Sequence, residues 1–221
     1  MFLANNKKLT NKLLLILGCQ RSGTTLLASM LGRHSEVNML FESTTDDVLK
    51  LIGKKYNGNK LLPWRQIRKT QKSSKLGYLI NRIVNFDFGL TNQEHHNIRV
   101  FPTSDLSISD YKNKKALFIT ITRDKSEVLK SITKRTNANI NRAAFEYDKA
   151  LEEIAFVKKE ALNIDFYDLI HETEITLKKI CEFLNLEFEE KMLEGPQYNF
   201  VYPHKNIIKD KSKSSVVKIN K

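Results

Sequence analysis

Apolar residues fall along the chain in short blocks, and their spacing changes from one block to the next. Lys12-Leu-Leu-Leu-Ile-Leu17 is a continuous apolar run bounded by polar residues and Gly18, the pattern of a strand buried on both faces. After a turn from Gly18 to Gly23, Leu26, Leu27, Met30 and Leu31 recur with helical spacing, which predicts a helix from Thr24 to Gly32-Arg33. Val37 to Phe41 reads as a second short strand, and Ser43-Thr44-Thr45-Asp46-Asp47 as a helix start with a capping-box pattern. Residues 54 to 98 are basic, polar and weakly periodic, with a helix predicted over Lys75 to Val84. Ala116-Leu-Phe-Ile-Thr-Ile121 is the clearest strand, and a helix over Ser126 to Arg135 follows it. Arg142 to Leu162 predicts a long amphipathic helix with Phe145, Ala150, Leu151, Ile154, Val157 and Leu162 inward. Ile164 to Tyr167 reads as a further strand, and Thr173 caps a helix with Leu177, Ile180, Cys181 and Leu184 on one face. The last twenty residues read as an exposed, basic, extended tail.

Strands alternating with helices indicate an α/β fold with a mainly parallel sheet and helices on both faces. The 221 residues are read as a single domain. A chain of this length buries roughly 70% of its unfolded surface and needs no disulfide or metal to hold a core. The longest apolar run falls far short of the ~20 residues that span a bilayer, and no signal-peptide pattern follows the N-terminal lysines. Cys19 and Cys181 are far apart with no neighbouring ligand, which excludes a disulfide scaffold and a Cys-rich zinc site. Both are expected to be inert buried thiols in a reducing, cytoplasmic compartment. The five histidines form no helical pair with a Glu, and no metal site is expected.

Charge sharpens the reading. Lys plus Arg number 37 against 25 for Asp plus Glu, a net charge of +12, which implies an anionic partner. The turn Gly18-Cys-Gln-Arg-Ser-Gly23-Thr24-Thr25 nearly fits the phosphate-binding pattern G-x-x-x-x-G-K-[ST], with Thr24 where the Lys stands. Such turns work because backbone N–H groups and a helix N-terminus converge on one phosphate, and glycine lets the backbone approach. Here the cation has moved to Arg21, inside the loop. A nucleotide triphosphatase needs the missing Lys on the β- and γ-phosphates, so ATP or GTP hydrolysis is disfavoured.

Gln20-Arg21-Ser22-Gly23-Thr24-Thr25-Leu26-Leu27 resembles the 5′-phosphosulfate loop of sulfotransferases that use 3′-phosphoadenosine 5′-phosphosulfate (PAPS). An Arg in this loop is closer to the tyrosylprotein and related Golgi-type branches than to the cytosolic small-molecule branch, here as a bacterial-style single domain. Ile121-Thr-Arg123-Asp124, with Ser131 eight residues after the Arg, is similar to the family's 3′-phosphate motif. Phe166-Tyr167-Asp168-Leu169 and the segment Leu177 to Leu184 resemble the family's Tyr-Glu-Asp-Leu strand and the helix after it. Ser212 to Lys221 looks like the late loop that closes over the cofactor. Two departures stand out: Lys125 replaces the usual Pro, and Thr45 to Lys115 matches nothing in the family. Relatives often continue past the position of Lys221, so a short C-terminal piece is expected to be absent.

The resemblance implies a P-loop-like three-layer sandwich and in-line transfer of a sulfuryl group from PAPS, with adenosine 3′,5′-bisphosphate as product and no metal. It implies cofactor contacts from Gln20, Arg21, Ser22, Gly23, Thr24, Thr25, Arg123, Ser131, Tyr167, Ser212 and Lys218. Arg21 would neutralise the leaving phosphate. Glu42, at the edge where α/β sheets bind ligands, would be the base that takes the acceptor's proton; His34 is the other candidate base. Residues 45–115 are expected to form an acceptor-binding insertion and residues 205–221 a cofactor lid. The acceptor's hydroxyl or amine belongs to a sugar, peptide tyrosine, lipid or small metabolite, and no nucleic acid is expected as partner. A nucleotide or small-molecule kinase is the alternative enzyme, and a non-catalytic basic protein binding nucleic acid or another polyanion is the alternative of a different class.

Overall fold

The computed structural model describes residues 11–90, 96–136, 138–199 and 208–209. β1 (Lys12–Leu17) leads through the glycine turn into α1 (Thr24–Leu31), and β2 (Val37–Phe41) follows. Next come β3 (Tyr56–Leu61), α2 (Lys75–Asp87), α3 (Ile108–Asn113) and β4 (Leu117–Thr122). Beyond them lie α4 (Lys125–Thr136), α5 (Ile140–Ala155), β5 (Leu162–Asp165), α6 (Phe166–His171) and α7 (Thr173–Leu184). A two-residue antiparallel ladder pairs β6 (Tyr198–Asn199) with β7 (Ile208–Lys209).

Strands β2-β3-β1-β4-β5 form one parallel sheet in that order. Leu14 and Ile16 of β1 pack with α1 and α7 on one face, while Leu13, Leu15 and Leu17 pack with α3 and α5 on the other. Burial on both sides is why β1 reads as an unbroken apolar run. The architecture is the three-layer α/β sandwich expected from the alternation of elements. All five strands point the same way, so their C-terminal ends open on one edge. Chain direction across the sheet reverses between β1 and β4, the crevice where ligands bind in such sheets.

β3 was hidden from the apolar pattern. Its sequence Tyr-Asn-Gly-Asn-Lys-Leu is polar, yet it lies between β1 and β2 and is buried throughout. All of its buried side-chain polar atoms except Asn59 Oδ1 find partners instead of water. Asn57 Nδ2 donates to Leu51 O at 2.7 Å and its Oδ1 accepts from Asn38 at 3.0 Å; Asn59 Nδ2 donates to Ser43 O at 2.8 Å. This strand also falls inside the segment 45–115 expected to be an insertion, so its first part belongs to the sheet.

The helix expected over residues 142–162 stops at Ala155, and Leu162 lies on β5. Asn163 Nδ2 donates to the carbonyls of Lys158 and Ala161, which holds the intervening turn. Phe145, expected inward, is half exposed and sits edge-on to Trp64. The strand expected at Ile164–Tyr167 ends at Asp165, whose carboxylate accepts from Tyr167 N at 2.7 Å and starts α6. Thr45 makes no cap to the backbone; the capping box is at Ser107 and Asp110 instead. Thr173 does not cap α7 either, since its hydroxyl donates to Leu169 O at 2.9 Å.

Candidate active site

The turn after β1 is shaped by its two glycines. A Cβ on Gly18 would stand 2.7 Å from Ile121 O and 2.6 Å from Thr24 Cγ2. Gly23 has φ of 94°, and a Cβ there would meet Phe166 Cδ2 at 2.3 Å. Arg21 also adopts a positive φ, 70°, so the loop bends sharply at its cation. Ser22 is consumed in holding this bend: its N–H and its hydroxyl both donate to Cys19 O, at 3.1 and 2.6 Å. The N-terminus of α1 has no side-chain cap and no acidic residue in its first turn. Its leading N–H groups, around Gly23, Thr24 and Thr25, therefore offer donors and a positive dipole end to an anion. Thr24, at the position of the usual Lys, is buried. Gln20 Nε2 donates to Glu146 at 2.8 Å and so faces the protein.

The second phosphate motif is folded against the first. Arg123 follows β4, and its guanidinium donates to Arg21 O at 3.3 Å and to Glu127 at 2.7 Å. Ser131 on α4 accepts from Arg21 Nε at 2.9 Å. Burial, and then the like charges of Arg135 and Arg123, pull the Arg21 guanidinium below its ordinary pKa. The guanidinium groups of Arg123 and Arg135 thus lie near enough to Arg21 to repel its charge. Such mutual repulsion is relieved by a bound anion. Phe166 supports the cluster, with its ring 4.4 Å from the Arg123 guanidinium carbon. Tyr167 reaches the same edge but is 65% exposed, and its ring packs on His171.

Glu42 follows β2 directly, with φ of 55°. Its N–H donates to Lys60 O at 2.8 Å, continuing the ladder to β3. Two strand spacings, about 10 Å, separate β2 from β1. One carboxylate oxygen pairs with Lys60 Nζ and the other accepts from Gln66 Nε2 at 2.8 Å. The Lys60 side chain is only 2% exposed against 40% for Glu42. Burial pushes the Glu42 carboxyl up, but the Lys60 charge, the bonds from Lys60 and Gln66, and the Arg65 charge together hold it below its ordinary range. Burial in turn pulls the Lys60 ammonium down. Glu42 is therefore in the ionised form a base requires. His34, by contrast, has both ring nitrogens engaged, with Nε2 bonded to Glu187 O at 2.8 Å and Nδ1 accepting from Glu36 N at 3.0 Å. It is a structural residue.

Arg65 sends two 3.0 Å bonds to the carboxylate of Glu146, the same group that receives Gln20 and a longer bond from Arg142. One buried carboxylate on α5 thus ties the glycine turn to the segment after β3. Arg135, Lys60, Gln66 and Arg65 were not singled out from the sequence, and Phe166 stood there only as the first residue of a resembled motif. Arg135 had a signal, because it follows Ser131 by one helical turn; the rest depend on tertiary contacts. Ser212 and Lys218 lie outside the described residues. Among the described residues no group of three His, Cys, Asp or Glu is placed to hold a metal ion. No described helix is long and apolar enough to cross a membrane.

An uncapped helix N-terminus thus stands beside Arg21 and Arg123 at the crevice of a parallel α/β sheet. Residues 14–101 match a family model described as Sulfotransferase family. The match covers less than half of the chain, runs through residues 45–101 that the motifs had left unmatched, and specifies no branch. No curated protein sequence matches significantly. Among solved structures, the mouse sulfotransferase SULT7A1 complexed with PAP aligns with TM-score 0.50 at 16% identity, over 84% of this chain and 62% of that one. The chain thus spans less than two thirds of the mouse enzyme, and the likeness is one of fold. The sulfotransferase domain from the curacin biosynthetic pathway aligns with TM-score 0.46 at 18% identity, over 84% of this chain and 77% of that one.

Proposed function

We propose that the chain is a PAPS-dependent sulfotransferase that transfers a sulfuryl group to a hydroxyl or amine acceptor. The observation that carries this reading is the packing of Arg123 and Ser131 against Arg21, beside the uncapped start of α1. The residues present fit PAPS, since a bisphosphorylated nucleotide places two anions some distance apart, and no cation stands at position 24 for a triphosphate. The N–H groups of Gly23, Thr24 and Thr25 would hold the 5′-phosphate, with Arg21 neutralising it as the leaving group. Arg123, Ser131 and Arg135 would hold the 3′-phosphate, and Gln20, Ser22 and Tyr167 would shape or line the site. When bound, PAPS supplies the activated sulfuryl group. Glu42, ionised and oriented by Lys60 and Gln66, would accept the acceptor's proton as the nucleophile attacks in line.

The acceptor class is a sugar, peptide tyrosine, lipid or small metabolite, met by the part of 45–115 that follows β3. Ser212 and Lys218, in the proposed 205–221 lid, complete the cofactor contacts. The cytoplasmic assignment rests on two free, buried cysteines. Calorimetry with adenosine 3′,5′-bisphosphate and with ATP–Mg²⁺ tests the reading. Low-micromolar binding of the bisphosphate with far weaker ATP binding is expected. Equal affinity for the two would favour a kinase. Salt-sensitive binding of nucleic acid or heparin without nucleotide binding would favour a polyanion-binding protein. A screen with sulfate-labelled PAPS then finds the acceptor.

A further inference from the structure

Helix α2 is built with its polar side inward. Its buried positions are Gly77, Asn81 and Asn85, spaced four residues apart. A Cβ on Gly77 would stand 2.9 Å from Phe101 Cβ, so the helix sits close against that segment. Asn81 Oδ1 accepts from the N–H groups of Val100 and Phe101 at 2.9 and 3.0 Å, and its Nδ2 donates to Phe101 O at 3.0 Å. Asn85 Oδ1 accepts from Ile98 N at 2.6 Å, and its Nδ2 donates to Ile98 O at 3.0 Å. Amide-to-backbone bonds therefore fasten α2, and its apolar side chains take no part in the core.

Those side chains stand in solvent. Leu76 is 65% exposed, Tyr78 70%, Leu79 51%, Ile83 49%, Phe86 72% and the adjoining Phe88 67%. Leu76, Leu79, Ile83 and Phe86 are spaced three, four and three apart, which puts them on one stripe. At ~150–250 Å² per aromatic side chain, Phe86 alone leaves roughly 100–180 Å² uncovered, and Leu76, Leu79 and Ile83 on the same stripe enlarge the patch toward the size of the largest on an ordinary monomer. Lys75 and Arg82, seven residues apart and both exposed, run along one edge of the stripe; Asp87 is the sole acidic residue of α2. An apolar stripe with a basic edge and exposed Tyr and Phe is the pattern of a helix lying in a lipid interface. A second copy could also cover it, but two chains of net charge +12 repel one another. The same charge attracts an anionic surface, by about 1 kcal/mol for each basic residue close to it.

We propose that the exposed face of α2 docks on anionic lipid bilayers, with Leu76, Leu79, Ile83 and Phe86 in the acyl boundary and Lys75 and Arg82 on the headgroup phosphates. This holds whether or not the sulfotransferase reading does. The test is co-sedimentation of the full chain with vesicles of phosphatidylcholine alone or with about 30% phosphatidylserine, at about 0.1 M salt. Wild type is expected to sediment with the serine-containing vesicles and weakly with the neutral ones. The neutral double variant Leu79→Ser with Ile83→Ser should partition about tenfold less or worse, with an unchanged melting temperature. Phe86→Ser alone and the charge reversal Lys75→Glu with Arg82→Glu give the same direction, should the double variant not fold. Wild type remaining in solution with both vesicles overturns the proposal. So does equal partition of wild type and the serine variants, since attraction then comes from net charge alone. A dimer in equilibrium sedimentation that the serine variants dissolve, without vesicle binding, assigns the face to a second copy and overturns it too.

Discussion

The pair formed by Glu42 and Lys60 is lopsided, and that asymmetry can be measured. Lys60 is 2% exposed at its side chain and Glu42 is 40% exposed, so the ammonium is the more fully desolvated of the two. Glu42→Gln strands that ammonium. The expected loss of stability is about 3 kcal/mol, the low end for breaking a buried pair, because the Gln carbonyl still accepts a hydrogen bond. The ceiling is about 5 kcal/mol, the cost of deprotonating a lysine of ordinary pKa at pH 7. Lys60→Met removes the buried charge and leaves Glu42 to water, so stability should stay within about 1 kcal/mol of wild type. The pH dependence has a fixed sign. In Glu42→Gln the folded Lys60 pKa drops well below its unfolded value. Between those two values the unfolded chain binds the extra proton, so stability rises with pH. The deficit should therefore shrink between about pH 7 and pH 9. Urea denaturation of the three proteins at both pH values reads all of this. Equal losses for the two variants, or a deficit that does not change with pH, would refute the stranded-ammonium reasoning. Turnover is a separate readout. Glu42→Gln should lower it by about 10²–10⁴ with bisphosphate affinity intact, and a drop below tenfold removes Glu42 as the base.

Arg123→Ala should weaken adenosine 3′,5′-bisphosphate binding by about 1.5–3 kcal/mol in calorimetry, and Arg135→Ala should weaken it in the same direction. Undiminished affinity in both would show that the guanidinium cluster does not hold the nucleotide. Burial pushes the Cys19 thiol up to about 12 and the Cys181 thiol up to about 11, so neither should react with iodoacetamide in the native protein at pH 8. Mass spectrometry that finds either one labelled as fast as a free thiol contradicts this. Deleting residues 206–221 should weaken bisphosphate binding and leave the melting temperature of the ligand-free protein nearly unchanged, as a lid contact requires. Equal affinity of the truncated and full chains ends the lid proposal.

The elements legible in the sequence are those whose burial is apolar. β1, α1, β2 and β4 stand within a residue or two of where their periodicity put them, because each buries Leu, Ile or Val against the sheet or its cover. β3 was not legible, because Asn57, Asn59 and Lys60 are paid for by partners on β2 and its connection rather than by apolar packing. The end of α5 was missed for a related reason: Val157 keeps helical spacing while Asn163 gathers the turn carbonyls. Within the site, the glycine turn, Arg123 and Ser131 could be read as local motifs, and they do converge. The partners of Glu42 could not, since Lys60 and Gln66 come from a strand and a turn that no periodicity announces.

Glu146 sets a limit on how this domain can diverge. Its carboxylate, 11% exposed, holds Gln20 of the glycine turn and Arg65 of the segment after β3 at once. Remodelling of the segment after β3 cannot leave the glycine turn untouched, because moving Arg65 alters the group on which Gln20 rests. Substitutions at positions 20, 65 and 146 should accordingly be non-additive, so that segment and turn would have to change in pairs rather than singly.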